Sequence, residues 1–103
     1  MYMLFCLVPE THLEAVKAAI FETGAGQIGN YQHCAWQTLG TGEFMPLSGS
    51  NAFLGQVNQL ETVQEYKIEI ACSKAQIKPA IAALKQAHPY ETPAYHVIRC
   101  EDA

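Results

Sequence analysis

The stretch Glu65-Tyr66-Lys67-Ile68-Glu69-Ile70-Ala71-Cys72 decides the fold of this chain of 103 residues. Its apolar side chains alternate with mostly charged ones, which is the pattern of a β-strand with one buried and one polar face. Tyr66, Ile68, Ile70 and Cys72 are predicted to face the core. Glu65 and Glu69 lie on the polar face, where solvated charges are expected.

A helix is predicted after this strand, and another near the start of the chain. Ser73 and Gln76 have the spacing of a capping box at the start of the later helix, and Thr11 and Glu14 have it in the earlier one. Pro79 indicates that the later helix either starts late or has a loose first turn, because proline lacks a backbone N–H.

The elements follow the order β-α-β-β-α-β. The other strands are predicted at residues 2–8, 31–39 and 94–100. The glycines in 40–42 are expected to turn or bulge the chain, and 43–60 to form a long polar excursion anchored by isolated apolar side chains. Right-handed crossovers then produce an α+β, ferredoxin-like fold, a four-stranded antiparallel sheet with two helices on one face. The length fits a single domain over residues 1–103.

One face of this sheet has no helix to cover it. The residues expected on it are mostly apolar: Met3 or Leu4, Phe5, Tyr31 and Ala35. An uncovered apolar face indicates an interface, so a homo-oligomer, a dimer or a trimer, is predicted. Cys34 and Trp36 are expected on the opposite, helix-covered face, with Cys34 in the core.

The composition argues against several classes of function. Six Lys and Arg against ten Asp and Glu give a net charge of −4 without a basic stripe, so nucleic acid is not an expected partner. No apolar run approaches the roughly 20 residues of a membrane span, and the start of the chain lacks the features of a signal peptide. We therefore expect a cytoplasmic location and no membrane partner. Four cysteines without a CxxC pair are expected to be reduced, buried thiols.

Two longer stretches are more specific than the fold. One is GAGQIGNYQHCAW (24–36), followed by GTGEFMP (40–46), and the other is AHPYETPAY (87–95). Together they resemble the YqfO-type domain, the CutA-like or PII-like module inserted in many proteins of the Nif-three (NGG-interacting factor three-like) family. The resemblance covers nearly the whole chain and implies the CutA-like fold. The His-Pro-Tyr-Glu run also resembles CutA itself, a trimeric protein linked to divalent-cation tolerance, which implies a trimer.

The resemblance implies no catalytic residue for this chain. The larger Nif-three proteins resemble metal hydrolases, and their dinuclear site lies in the domains that flank the inserted module. The chain is expected to be this module standing alone, so none of those metal ligands is carried over to it.

A metal site is nevertheless predicted from the residues themselves. His33 is expected to point outward from strand 31–39, beside the polar face that carries Glu65, and His88 and Glu91 flank the turn before the last strand. Imidazole and carboxylate groups suit zinc or copper. His33, Glu65, His88 and Glu91, from one chain or from neighbouring chains, are therefore the predicted ligands. In the alternative, Glu65 is a solvated surface charge and His88 caps the helix end, where the dipole favours a cation.

Three functions are compatible with these patterns. The first is a small oligomeric regulatory or binding module that holds a divalent metal ion or a small ligand at subunit junctions. The second is a structural subunit that docks on a protein partner without a ligand. The third, an enzyme, is not favoured, because His33 and Cys34 point to opposite faces of a strand and no acid, base and nucleophile converge.

Overall fold

Four strands form one antiparallel sheet with two helices on one face, so the predicted fold class is confirmed. The computed structural model describes residues 1–101. The elements are β1 (Tyr2–Pro9), α1 (Leu13–Glu22), β2 (Trp36–Phe44), β3 (Glu61–Cys72), α2 (Ile77–Ala87) and β4 (Tyr95–Arg99). Within this described part, neither helix has the length and apolar character needed to cross a bilayer.

The strand order in the sheet is β2-β3-β1-β4, which puts β3 and β1 at the centre. Leu4 of β1 lies opposite Ile70 of β3, and Trp36 of β2 lies opposite Glu69 of β3. Residues that pair across antiparallel strands share a face of the sheet. Leu4 and Ile70 therefore lie on the helix face, whereas Trp36 and Glu69 lie on the other side, which we call the open face.

The hydrophobic core fills the space between the helix face and the two helices. The alternation predicted for β3 is confirmed, because Ile68, Ile70 and Cys72 are each about 1% exposed. Helix α2 adds Ala80 and Leu84, which are four residues apart and so share one side of the helix. Burying each large aliphatic side chain of this core contributes about 1.5–3 kcal/mol to folding.

The two helix starts differ from the predicted capping boxes. Gln76 Oε1 accepts a hydrogen bond from the Ser73 N–H at 3.1 Å, so half of the later box forms. The Thr11 cap is wrong, because a 3-10 turn at Glu10–His12 precedes α1 and the Thr11 hydroxyl bonds to the His12 ring instead. Pro79 lies in the first turn of α2, where no intrahelical N–H bond is lost.

Strand β2 begins and ends five residues later than predicted. The chain before it is held as a loop, since the Cys34 N–H bonds to the Gly26 carbonyl at 2.9 Å and the Gly26 N–H bonds to Ala71 at 2.8 Å. Residues 40–42, predicted to turn or bulge the chain, instead continue β2 and pair in register with β3. The shift also moves Trp36 out of the predicted core: it is 68% exposed on the open face, and Cys34 is only partly buried.

All four cysteines are free thiols, and two of them are core residues. Burial, and secondarily the charge of Glu65, raises the pKa of the Cys6 thiol to about 12. Burial also raises the pKa of Cys72. Both thiols therefore stay protonated at neutral pH and pack as small apolar side chains.

Candidate functional site

A cavity of about 300 Å³ lies at the end of the sheet where β1 and β2 end and β3 begins. Two segments fold over this end, one from the excursion between β2 and β3 and one from the turn between α2 and β4. The residues that line the cavity are Leu7, Gly42, Glu43, Phe44, Pro46, Ser50, Ala52, Phe53, Leu54, Glu65, Tyr90, Glu91, Thr92 and Ala94. The lining is mostly apolar, and three of its members are carboxylates.

Glu65 is the central charged residue of this cavity. It lies on the open face opposite Gly40, and its residue is only 7% exposed. The alternative interpretation of Glu65 as a solvated surface charge is wrong, because the two covering segments exclude water from this end of the open face. Among the described residues, no cation forms a salt bridge with Glu65, and the polar group that interacts with its carboxylate is the Tyr90 hydroxyl.

Gly42 makes room for the Glu65 side chain. A Cβ atom at position 42 would overlap the carboxylate oxygen Oε1 of Glu65, so any larger residue must displace that carboxylate. Gly40, two residues earlier on the same face of β2, has open space around it. The glycine at position 42 therefore explains how a glutamate can lie flat across a β-sheet beside the cavity.

Tyr90 places its phenol next to Glu65. Its hydroxyl oxygen is buried and has no hydrogen-bond partner of regular geometry. Burial raises the pKa of this hydroxyl, and the neighbouring Glu65 carboxylate raises it further. The proton therefore stays on the oxygen, and the phenol can donate to Glu65 after a small movement or to a bound molecule.

His88 fixes the turn that carries Tyr90. Its ring is almost fully buried, its Nε2 lies 2.7 Å from the Leu7 carbonyl oxygen, and its Nδ1 accepts the Tyr90 N–H at 3.1 Å. A carbonyl only accepts, so Nε2 carries the proton and the ring is neutral. Burial is the largest influence on His88 and lowers its pKa. Both ring nitrogens are thus engaged within the chain.

The four predicted metal ligands occupy different places. Glu65 and Glu91 both line the cavity, although Glu91 Oε2 already accepts the Asn51 N–H at 2.7 Å. His88 lies beneath Tyr90, with the two ring centres 4.8 Å apart. His33 is in the loop before β2 with a positive φ of 57°, not on a strand, and it stacks on Phe21 at 4.6 Å.

His33 therefore lies far along the sheet from the two glutamates. Its loop is bonded to Ala71, at the opposite end of β3 from Glu65. Within residues 1–101, no group of three His, Cys, Asp or Glu side chains is placed to hold a metal ion. The quartet can come together only if a neighbouring subunit completes it, and that arrangement stays a prediction.

Three aromatic residues of the cavity were not identified from the sequence. The rings of Phe44 and Phe53 lie 6.0 Å and 6.3 Å from the ring of Tyr90, centre to centre, and are tilted against it by 53° and 44°. Two of them could have been found from the sequence, because they are isolated apolar residues in a polar stretch. Phe44 and Phe53 are large apolar side chains within a polar excursion, which is typical of residues that pack or bind.

The charges around the cavity are predominantly negative. Glu43, Glu65 and Glu91 line it, and no lysine or arginine does so among the residues described. Glu61 is close enough to affect the Tyr90 hydroxyl. Lys67 shares the open face with Glu65, but its Nζ lies 4.6 Å above the Phe5 ring. The cavity thus favours positively charged molecules over negatively charged ones.

The open face away from the cavity is a second candidate surface. Trp36 and Ile98 are 68% and 51% exposed there, and Met3 and Phe5 lie between them, partly exposed. The sequence left open whether Met3 or Leu4 faces this side. The structure shows that Met3 does, because Leu4 belongs to the core.

Comparison with known sequences relates the chain to part of longer proteins. No family model matches it. It is 44% identical over 95 residues to a protein of Halalkalibacterium halodurans named GTP cyclohydrolase 1 type 2 homolog, and 43% identical over 94 residues to the Bacillus subtilis protein of the same name. These matches cover 92% and 91% of this chain but 26% and 25% of the relatives. The chain therefore spans about a quarter of the length of these relatives.

Comparison with solved structures shows the same relationship. A Bacillus cereus protein related to NIF3 is 39% identical with a TM-score of 0.84, over 98% of this chain and 26% of that one. The Archaeoglobus fulgidus protein CutA, described as a periplasmic divalent cation tolerance protein, has a TM-score of 0.71 at 15% identity, over 100% of this chain and 87% of that one. At that identity the second likeness establishes the fold alone.

Proposed function

We propose that this chain, which matches about a quarter of the Nif-three-related proteins and has the CutA-like fold, is a small regulatory or binding module. The resemblance predicted from its two sequence motifs is confirmed by these relatives. The cavity beside β3 is its proposed ligand site. One observation carries the proposal: Glu65 is only 7% exposed and lines this cavity, and no cation of the described residues pairs with its carboxylate.

A buried carboxylate without a cation to pair with is unfavourable for folding alone. Removing a charged group from water without a compensating contact costs several kcal/mol (order of magnitude). A ligand of opposite charge would supply the missing contact, and polar groups that converge in a concave, mostly apolar site are a usual mark of ligand binding. The cavity volume of about 300 Å³ is at the lower end of small-molecule sites.

We propose binding rather than catalysis for this module. The relatives carry the name of a cyclohydrolase homolog, but the chain spans only about a quarter of them. The cavity offers carboxylates and one protonated phenol, which suit recognition of a ligand. A cytoplasmic location is part of the proposal and rests on the sequence.

Two probes of the same shape test the cavity as a binding site. Choline and its neutral analogue 3,3-dimethylbutan-1-ol are titrated to about 10 mM while amide NMR signals are followed, which detects millimolar affinity. We expect at least one of them to shift the amides of Gly42, Phe53 and Tyr90. Ala52→Trp should abolish the shifts by filling the cavity, whereas Leu47→Trp, outside the lining, should not. If neither probe moves these amides, the proposed function fails.

The predicted zinc or copper site is tested in the same way. A metal ion held by His33, Glu65, His88 and Glu91 across a subunit junction must shift the ring signals of both histidines when zinc chloride is added. The engaged nitrogens of His88 argue against this, because a metal would have to displace the Leu7 or Tyr90 contact. Shifts at both histidines with zinc would favour the metal site over the cavity.

We also propose that the open face associates with a second copy of the chain. The support is its exposed apolar surface around Trp36 and Ile98. Light scattering should then give a mass above the 11.3 kDa of one chain. Trp36→Glu should lower that mass, since it places a charge in the interface, whereas Leu47→Glu, at a position equally 68% exposed but off this face, should not.

A strictly monomeric parent chain would contradict this association. The apolar face would then be available to a different protein, and the module would match the structural, partner-docking function. Whether the assembly is a dimer or a trimer follows from the same mass measurement.

A further inference from the structure

The cavity combines an unpaired carboxylate with three aromatic rings. Phe44, Phe53 and Tyr90 all line it, and so does the buried Glu65. We propose that its ligand is a small organic cation, an alkylammonium group that the Glu65 carboxylate pairs with and the three rings enclose. This inference rests on the proposed function of the same cavity and names the chemical class of its ligand.

The Glu65 carboxylate favours a positively charged ligand. Glu65 is only 7% exposed. Lys67 lies on the same face of the sheet, but its ammonium group contacts the Phe5 ring. A cation entering the cavity would provide the missing ion pair in a place where water screens it little. An anion would instead meet Glu43, Glu65 and Glu91 together.

The three aromatic rings favour an organic cation over a metal ion. Aromatic faces attract ammonium groups within about 6 Å of the ring centre, and several rings around one site form a cage for alkylated nitrogen. The rings of Phe44 and Phe53 are tilted by 53° and 44° against the ring of Tyr90, so neither is stacked flat on it, and all three rings line the cavity. The apolar remainder of the lining, including Leu7 and Leu54, would contact the alkyl carbons.

A bare metal ion fits the same cavity less well. Divalent ions take several oxygen or nitrogen ligands, whereas Glu65 provides the one unoccupied carboxylate deep in the site and Glu91 is already bonded to Asn51. The histidines near the site do not add ligands. His12 contacts the Phe53 ring edge-on at 5.5 Å, and His88 uses both ring nitrogens elsewhere.

Comparing a charged probe with its neutral isostere tests the inference. Choline and 3,3-dimethylbutan-1-ol differ by one charge at the same branched centre. We expect choline to bind the parent chain at least about tenfold more tightly, measured as Kd by NMR titration. Glu65→Gln should remove that preference while leaving the affinity for the alcohol within about twofold. Glu69→Gln, on the same face of the same strand but outside the cavity, is the matched control and should change neither Kd.

A substitution of Phe53 tests the contribution of the aromatic rings. Phe53 is 49% exposed, so Phe53→Leu can be made without emptying the core. It should weaken choline binding more than alcohol binding, because leucine keeps the apolar contact and loses the ring face. Zinc chloride is titrated in the same way as choline and the alcohol, to compare a metal ion with the organic probes.

The outcomes separate the inference from the proposed function. Equal affinity for choline and the alcohol, or an unchanged preference in Glu65→Gln, overturns the organic cation while cavity binding stands. Zinc binding that is stronger than choline binding and is lost in Glu65→Gln also overturns it. Absence of both organic probes from the cavity overturns the proposed function itself.

Discussion

Replacing His88 by alanine is expected to lower the free energy of unfolding by about 2–4 kcal/mol. The change leaves the Leu7 carbonyl and the Tyr90 N–H without their partner, and it opens a space under the turn that carries Tyr90. Gln86→Ala is the control, because that side chain is exposed on α2, away from the open face, and makes no such contacts. Urea unfolding of the three proteins measures the difference, and equal losses for both variants would contradict the assigned role.

His88 should also make stability depend on pH. Its pKa is lowered in the folded chain and is about 6.5 in the unfolded chain, so the unfolded state takes up the proton more readily. The contribution to stability is therefore complete above about pH 6.5 and declines as the pH falls toward the lower, folded-state pKa. His88→Gln should flatten this part of the profile. A parent slope that survives in His88→Gln would show that other groups cause it.

Gly42→Ala is expected to have the second large effect, a loss of about 1–3 kcal/mol of stability. The added methyl group would occupy the position of the Glu65 carboxylate and would push that side chain out of place. Because Glu65 lines the cavity, binding of choline should weaken at the same time by about tenfold or more. Thermal unfolding and the NMR titration measure the two effects.

Gly40→Ala is the matched control for this substitution. Gly40 lies on the same face of β2, two residues away, with no atom near the added methyl group. Glycine is unfavourable inside a strand by about 0.5–1 kcal/mol relative to alanine, so this variant should be neutral or slightly stabilised. If the two alanine variants behave alike, the contact between position 42 and Glu65 does not matter for the fold.

The sequence predicts correctly those features that depend on one segment at a time. The alternation of Ile68 and Ile70 in β3 needs only a period of two, and the helix that follows shows its buried face through Ala80 and Leu84. The predicted order of elements therefore matches the structure. Two of the predicted site residues, Glu65 and Glu91, also line the cavity, although the metal site that they were predicted to form stays a prediction.

The sequence misplaces the features that depend on contacts between distant segments. Glycines at 40 and 42 are typical of a turn. They nevertheless lie in β2, because β3 extends far enough to pair with both of them. His33 was expected on a strand, but its loop is tied back to Gly26 and Ala71. The consequence is that His33 stacks on Phe21 instead of lying beside Glu65.

What the sequence determined by itself is the identity of the strands and helices and the apolar character of the faces they bury. What only the tertiary structure decided is the environment of Glu65. Along β3 this glutamate is a polar residue in an alternating strand, as Glu69 is. It becomes a buried charge because residues near Phe53 and Tyr90, which are 12 and 25 positions away in the chain, fold over it. Local periodicity can predict which face a side chain points to, whereas the removal of water from that face depends on segments that meet only in the folded chain.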